Sequence, residues 1–521
     1  MRRARSRDQS REVDLYPQTR TCPGCRRRLG ERYRKRRFIV RLDEQLDVIS
    51  HFLECQSPRC QLRAVVYRPE EEGLLALRGY TFGLDVVALI GELRFEAHRA
   101  IPEIHARLVE DGVSISDKEV ALLAEVYLAL VTTAAAADPA ALDALRAVGG
   151  IVLSIDGVQP EKGNETLYLL RELQTGRVLV ARNLRSSSTA EIEKLIEEVK
   201  ALGLPILGVV SDKQSSICLA VERALPRVPH QICQYHYLRD MAHPVVEADR
   251  HLKKELKKHV RGMKDVEDSA VRMGDVAEAR VAADYCQAIR VVMRNDGKYP
   301  LDPAGLELYT KLEKIASSLE RAVAARESKL LARLLRILTV LGTFVSTFER
   351  VSTAYEWIYQ IAHRLDVEGI RASTARRRLE TYVDALDPGK DEELGLWVGH
   401  IRKLTHAFAP KLFTYVGQPL LPKTNNDLEL FIGRVKKARR QATGRKSTAE
   451  YILREGQYVA VLYGLPTGSS DIERLAGVDF AAFRATLDEM RRRQERSKAW
   501  RARRDLDSYL SELEQEWPAS E

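Results

Sequence analysis

Gly149-Gly150-Ile151-Val152-Leu153-Ser154-Ile155-Asp156 is where the periodicity of this 521-residue chain changes. The six residues after the glycine pair form a short apolar run closed by an acid, which is the pattern of a buried strand. Residues 166–172 and 177–181 then alternate like paired strands around the turn Gln174-Thr175-Gly176. A helix is expected over 190–202, followed by a second apolar strand, Ile206-Leu207-Gly208-Val209-Val210-Ser211-Asp212, again closed by an acid. A helix over 216–225 and a strand near His230 to Cys233 complete the order βββαβαβ. Mixed sheets of this kind place functional groups at strand ends, so Asp156 and Asp212 are candidates for convergence. Either acid alone would be an ordinary strand-end or helix-cap residue.

Upstream of the glycine pair, residues 85–96, 101–110 and 117–131 read as three amphipathic helices, with Pro102 near a helix start and Asp111-Gly112 as the break before the third. Two helices joined by a short Gly-containing turn have the layout of a helix-turn-helix, whose second helix would enter a major groove. A helical packing module without DNA contact has the same spacing. The Ala-rich stretch 134–141, carrying Asp138-Pro139, reads as a linker. Downstream, Pro244 to about Phe413 shows no strand pattern, only long helices over 265–294, 306–325, 328–365 and 392–408, an all-helical insertion. Its most apolar part, Leu330 to Phe348, is broken by Arg333 and Arg336 and so falls short of the roughly 20 uninterrupted apolar residues that span a bilayer. The next motif is Pro422-Lys423-Thr424-Asn425-Asn426-Asp427-Leu428-Glu429, where Thr or Asn can cap a helix running on through Phe431, Val435 and Lys436.

Apolar residues make up 45% and charged residues 30% of the chain, which argues against disorder throughout. The net charge of +9 is localised. Between Arg2 and Arg37 fourteen Arg and Lys face only Asp8, Glu12, Asp14 and Glu31. A second basic run, Arg434, Lys436, Lys437, Arg439, Arg440, Arg445 and Lys446, contains no acid. Two such segments suggest a polyanion partner, because each neutralised phosphate releases condensed counterions; the plainer reading is a solvated face. No apolar h-region follows Arg2, Arg3, Arg5 and Arg7, so the expectation is a cytoplasmic, nucleoid-associated protein without a membrane partner.

Seven cysteines in a long intracellular chain are expected to be reduced thiols. Cys22-Pro-Gly-Cys25 and Cys55-Gln-Ser-Pro-Arg-Cys60 form two knuckle-like pairs whose thiolates can converge on one tetrahedral Zn²⁺. The intervening 36–51 segment reads as short strands with little apolar surface, which would have difficulty folding without a metal. Cys218 and Cys286 fall on apolar helical faces as small buried residues.

Taken together, Ser154-Ile155-Asp156-Gly157, Val210-Ser211-Asp212, Cys233-Gln234-Tyr235-His236 and Thr424-Asn425-Asn426 through Glu429, with the basic run after it, resemble bacterial insertion-sequence DDE transposases related to the Mutator-like group. The resemblance implies an RNase H-like core in which Asp156, Asp212 and Glu429 bind two divalent metals, Mg²⁺ or Mn²⁺. It further implies DNA partners, both transposon ends and target, and a homo-oligomer in the synaptic complex. Cys233 and His236 resemble the C/DxxH motif of Mutator-like enzymes; a role beside the active site, a zinc site with His230 and His243, and plain packing are its alternative readings. Lys213-Gln214 departs from the small residue and acid that follow the second acid in many relatives. Asp427 competes with Glu429 as third carboxylate. A two-residue shift turns a helical side chain by about 200°, so only one of them can face the metals, and the neighbouring Leu428 together with the family pattern favours Glu429.

The expected fold class is multidomain α+β, with an RNase H-like mixed sheet core, a large all-helical insertion, and a zinc-ribbon-like segment and helix-turn-helix before it. The expected boundaries are a basic N-terminus and zinc-ribbon-like segment over 1–78, a helix-turn-helix over 79–133 and a linker over 134–148. The core would occupy 149–243 and 414–446 around an insertion over 244–413, and a helical tail 447–521. The expected function is a transposase that binds terminal inverted repeats, then cleaves and transfers strands with Mg²⁺. A domesticated, catalytically inactive DNA-binding protein is the second reading, and an RNase H-like nuclease or resolvase that cuts without joining is the third. Three intact acids favour catalysis, since a binding module has no need of all of them.

Overall fold

The computed structural model describes residues 10–136, 138–160, 163–466 and 472–517; Arg2, Arg3, Arg5, Arg7 and Asp8 of the basic N-terminus lie outside them. The chain is mixed α+β, with parallel and antiparallel strand pairs in both of its sheets. It divides into two compact units, the first made of Met1–Leu207, Leu219–Pro226 and Asp427–Glu521, the second of Gly208–Cys218 and Arg227–Asn426.

The first unit opens with a four-stranded sheet. Strand β3 (Gln45–Glu54) pairs in parallel with β1 (Arg11–Leu15) and antiparallel with β2 (Gly30–Val40) and β4 (Val66–Tyr67). The strands β2 and β3 have 11 and 10 residues and bury Leu15, Ile39, Leu46, Val48 and Ala76. The expectation of short strands with little apolar surface is therefore corrected: the alternation Phe38-Ile39-Val40 and Leu46 to Phe52 is masked in the sequence by the arginines of the solvent face.

Helices α1 (Glu71–Leu75) and α2 (Leu84–Gly91) follow, then a π-turn over Glu92–Glu96, α3 (Ile101–Glu110) and α4 (Asp117–Ala136). Gly112, at φ +84°, turns the chain after α3. A reciprocal pair of bonds between Ser116 and Glu119 then starts α4. Half of α4 is buried, including Leu123, Val126, Tyr127, Leu130 and Val131, and its first turns expose Asp117, Lys118, Ala121 and Leu122. The 134–148 stretch read as a linker is instead helical on both sides of position 137, because Asp138 caps α5 (Pro139–Ala147) and is gripped by Arg177 and Arg474.

Strands β5 (Ile151–Val158), β6 (Thr166–Glu172) and β7 (Val178–Leu184) form an antiparallel meander, with α6 (Thr189–Lys200) after it. Strand β8 (Ile206–Ser211) begins in the first unit and continues in the second, where it pairs in parallel with β9 (His230–Ile232); α7 (Ser215–Ala224) lies between them in sequence.

The second unit is otherwise helical. Its members are α8 (Gln234–His259), α9 (Met263–Met273), α10 (Ala277–Met293), α11 (Ala304–Ala325), α12 (Lys329–Leu338), α13 (Val345–Leu365), α14 (Ala372–Asp384) and α15 (Glu392–Leu412). Two cores hold it. Tyr237, Val245, Tyr355, Ile358, Leu379 and Ile401 belong to one, and Leu256, Val266, Ile289, Leu312 and Leu334 to the other. The single helices expected over 265–294 and 328–365 are each broken, the first at Gly274 (φ +73°), the second by a 3-10 segment over Thr339–Phe344.

The chain re-enters the first unit with α16 (Asn426–Thr443), α17 (Ala449–Tyr463), α18 (Ile472–Ala476), α19 (Phe480–Arg504) and α20 (Leu506–Glu516). Residues of α16, α17 and α19, among them Phe431, Tyr458, Phe483 and Leu487, share one core with α2, α4, β6 and β7. By length and composition Asp117–Ala136 and Lys329–Leu365 are apolar enough to cross a membrane. The first is the central core helix just described, and the second is interrupted by the 3-10 segment.

Candidate active site and metal centre

The four cysteines converge as their spacing predicts. One ligand atom from each of Cys22, Cys25, Cys55 and Cys60 lies within 4.8 Å of all the others, with sulfurs 3.6 Å apart for Cys22 and Cys60 and 3.5 Å for Cys25 and Cys55. Thiolates bound at about 2.3 Å around a tetrahedral ion stand roughly 3.8 Å from one another, so the cluster can hold zinc. The first knuckle is shaped by Arg26, which takes a left-handed φ of +55° and donates its N–H to the Cys22 carbonyl at 2.8 Å. The second is closed by the Cys60 N–H to Ser57 O bond at 3.1 Å. Backbone donors around Cys22 hold its thiol down to about 7, whereas at Cys55 the lowering by the Ser57 backbone N–H is outweighed by burial and then by bonds to the other sulfurs, which push the thiol up to about 12.

In the first unit, Asp156 is buried near the end of β5, and its Oδ1 accepts the Gly157 N–H at 2.7 Å. The register sets Asp156 opposite Leu169 and Ser154 opposite Arg171. Directly opposed residues of an antiparallel pair share a face, so Asp156 and Arg171 belong to the same face of the meander. Arg171 forms an ion pair with Asp427, and its guanidinium carbon lies 4.9 Å from the centre of the Phe431 ring. Burial, and then the nearby Arg434, lower the Arg171 pKa from the ordinary arginine value. Helix α16 is thus fastened to the sheet face to which Asp156 belongs, with Leu428 and Phe431 buried beneath it. Half-buried Glu429 lies two residues beyond the engaged Asp427.

In the second unit, Asp212 directly follows β8, and its Oδ1 accepts the Gln214 N–H at 3.0 Å. Around it the chain is tightly bonded. Ser211 Oγ lies 2.9 Å from His230 Nε2, and the Cys233 N–H donates to Ser211 O at 2.8 Å. Cys233 Sγ accepts the Asn425 N–H at 3.2 Å, and the Gln234 N–H donates to Lys423 O at 3.0 Å. Cys233 therefore positions the Thr424-Asn425-Asn426 segment, and His236 is buried one turn into α8. Lys213, the departure noted after the second acid, places its ammonium 4.1 Å from the centre of the Phe408 ring, and burial lowers its pKa.

The basic run occupies the solvent side of α16 and the loop after it. Arg434, Lys437, Arg440, Arg445 and Lys446 are exposed, while Lys436 and Arg439 are half-buried. Arg439 stacks on Tyr451 at 4.5 Å, so part of its charge serves the fold. The helices upstream of β5 are tied to this region: Arg94 donates to Ala442 O at 3.2 Å and Tyr463 OH to Phe95 O at 2.9 Å. Arg171 escaped the sequence reading; the signal for it was an arginine inside the otherwise apolar strand Thr166-Leu-Tyr-Leu-Leu-Arg171-Glu172, where a buried cation requires a partner.

No curated protein matches the chain. Residues 179–299 match the family model described as transposase, Mutator family, a stretch that includes Asp212, Cys233 and His236 and stops short of Asp156, Glu429 and the four cysteines. The match over these residues supports a transposase of the Mutator-like group, a family whose partners are DNA.

Proposed function

We propose that the chain is a DDE transposase with an RNase H-like core, in which Asp156, Asp212 and Glu429 form the catalytic triad. The observation that carries this reading is the fastening of α16 to the sheet face of Asp156, with Asp427 engaged by Arg171. Glu429, half-buried on the same helix, is the third acid that the family pattern after Thr424-Asn425-Asn426 favours. Three carboxylates supply hard oxygen donors of the kind Mg²⁺ prefers. Two such ions, when bound, stabilise charge on the entering and leaving oxygens of an in-line phosphodiester displacement. The residues themselves orient the scissile phosphate. Arg434, Lys437 and Arg440 hold the strand by its phosphates, which gives position without sequence. The exposed first turns of α4 are the candidate base-reading surface, and the four cysteines hold a structural zinc.

Asp156→Asn, Asp212→Asn and Glu429→Gln should each abolish Mg²⁺-dependent strand cleavage while DNA binding persists. Near wild-type cleavage by any one of the three refutes the triad.

A further inference from the structure

A third basic segment lies on α19 of the first unit. Between Arg491 and Arg504 the sequence carries eight Arg and Lys against Glu495 alone. Three of them on α19, Arg493, Arg496 and Arg503, line an open cavity of about 470 Å³ together with Arg185, Asn164 and Glu165. Four arginines thus share one cavity with one carboxylate. Glu165 is already held by buried Arg493 at 2.6 Å, with Arg185 at 3.5 Å. Among the described residues no carboxylate pairs with Arg496 or Arg503, both of which are exposed. A cavity of this size lined by exposed guanidinium groups fits a phosphate or a phosphodiester, which Arg binds through its planar fork of donors.

The position of the cavity identifies the ligand further. Gly163–Glu165 lead directly into β6, and Arg185 directly follows β7, at the sheet end where Thr166 pairs with Leu184 and Val158 with Leu167. Asp156 lies two residues from that end, about 7 Å along the strand. Along α19, Arg492, Arg496 and Arg503 are spaced so as to share one side of the helix over about 16 Å, a length that spans several phosphates at about 3.4 Å of axial rise each.

We propose that this cavity is a second phosphate-holding site for DNA, separate from the basic run of α16, and that it takes the backbone of the strand leaving Asp156. The proposal rests on the transposase reading. It deepens that reading by giving the C-terminal helix a role in gripping substrate.

The test is an anisotropy titration of the full chain with labelled terminal-repeat and scrambled duplexes at several salt concentrations. Wild type is compared with Arg496→Gln/Arg503→Gln and, separately, with Arg434→Gln/Lys437→Gln/Arg440→Gln. The first variant should bind both duplexes more weakly to the same degree, and the slope of log K against log[salt] should fall by about 1 for each phosphate no longer neutralised. Both replaced arginines are exposed, so the fold survives, which circular dichroism checks. If wild type and the α16 variant differ but the α19 variant binds with wild-type affinity and slope, the cavity proposal fails and the transposase reading stands. Loss confined to the terminal-repeat duplex also overturns it, because that is base reading. If wild type binds no duplex, the transposase reading falls and this proposal with it.

Discussion

Two residues show how narrowly the packing is set. Asp249 is fully buried and caps the start of α11: its carboxylate accepts the Tyr299 hydroxyl at 2.7 Å and the Gly305 and Leu306 N–H groups at 2.8 Å each. Burial raises its pKa, against the pull of these three donors. Asp249→Ala should destabilise the second unit by about 1 to 3 kcal/mol for each buried group left unsatisfied. Asp249→Asn, which retains an acceptor, should cost less. Urea denaturation of the two variants gives the comparison, and equal midpoints would refute the capping role. Gly91 lies against Tyr127 so closely that an added Cβ would fall 2.3 Å from the ring. Tyr127 is itself buried and stacked near Phe95, so it has nowhere to move. The helix-propensity gain of about 1 kcal/mol expected from Gly91→Ala is opposed by overpacking of about 1 to 3 kcal/mol. The variant should melt below wild type in calorimetry.

Among the elements, the N-terminal sheet carries its own pH dependence. His51 is buried on β3, stacked on Tyr16 at 4.0 Å, with Nδ1 2.5 Å from Glu31 and Nε2 2.7 Å from Asp14. Burial alone would lower its pKa, but the hydrogen bonds to Asp14 and Glu31 outweigh burial and raise it above 6.5. A raised folded pKa contributes stability that is complete below the unfolded value and is lost as pH rises through the folded value. The sheet should therefore be firmer at pH 6 than at pH 8, and His51→Gln should remove that difference; amide exchange on β1 to β3 at the two pH values measures it. The cysteine cluster lies against another part of the same sheet. Its apolar core centres on Ile39, Leu46 and Val48, whereas the cysteines pack with Leu29 and Leu53. Metal analysis should give about one zinc per chain. Chelation should free the two knuckles to proteolysis while the strands persist, and collapse of the whole sheet on chelation would refute the independent core.

The strands from β5 to β9 were legible because each is a short apolar run bounded by turn residues, and their predicted ends fall within three residues of the observed ones. The breaks between α9 and α10 and within 328–365 were not legible, since amphipathic spacing continues across Gly274 and across the 3-10 segment. The cysteine cluster was readable from spacing alone. The grip of Arg171 on Asp427 joins residues far apart in the chain, and periodicity carries no information about such pairs.

For the molecule as a whole, charge is distributed over several surfaces, so DNA affinity should fall steeply with salt. Neutralising Arg434, Lys437 and Arg440 should flatten that dependence by up to about 0.9 for every phosphate that these side chains cease to neutralise, and should weaken all sequences alike. The first unit is also discontinuous: the apolar length of α4 is covered by α17 and α19, which lie more than 300 residues later in the chain. During synthesis at about 5 to 20 residues per second, Val126, Leu130 and Val131 would wait on the order of tens of seconds for Tyr458 and Leu487 to emerge. A chain cut off after residue 426 keeps α2 and α3 against α4 but lacks α17 and α19, so the flank that these two helices cover stays open. The C-terminal helices thus act as a seal on the core of the first unit: a nascent or truncated product that lacks them would present the flank of α4 that they cover as an adhesive, aggregation-prone surface.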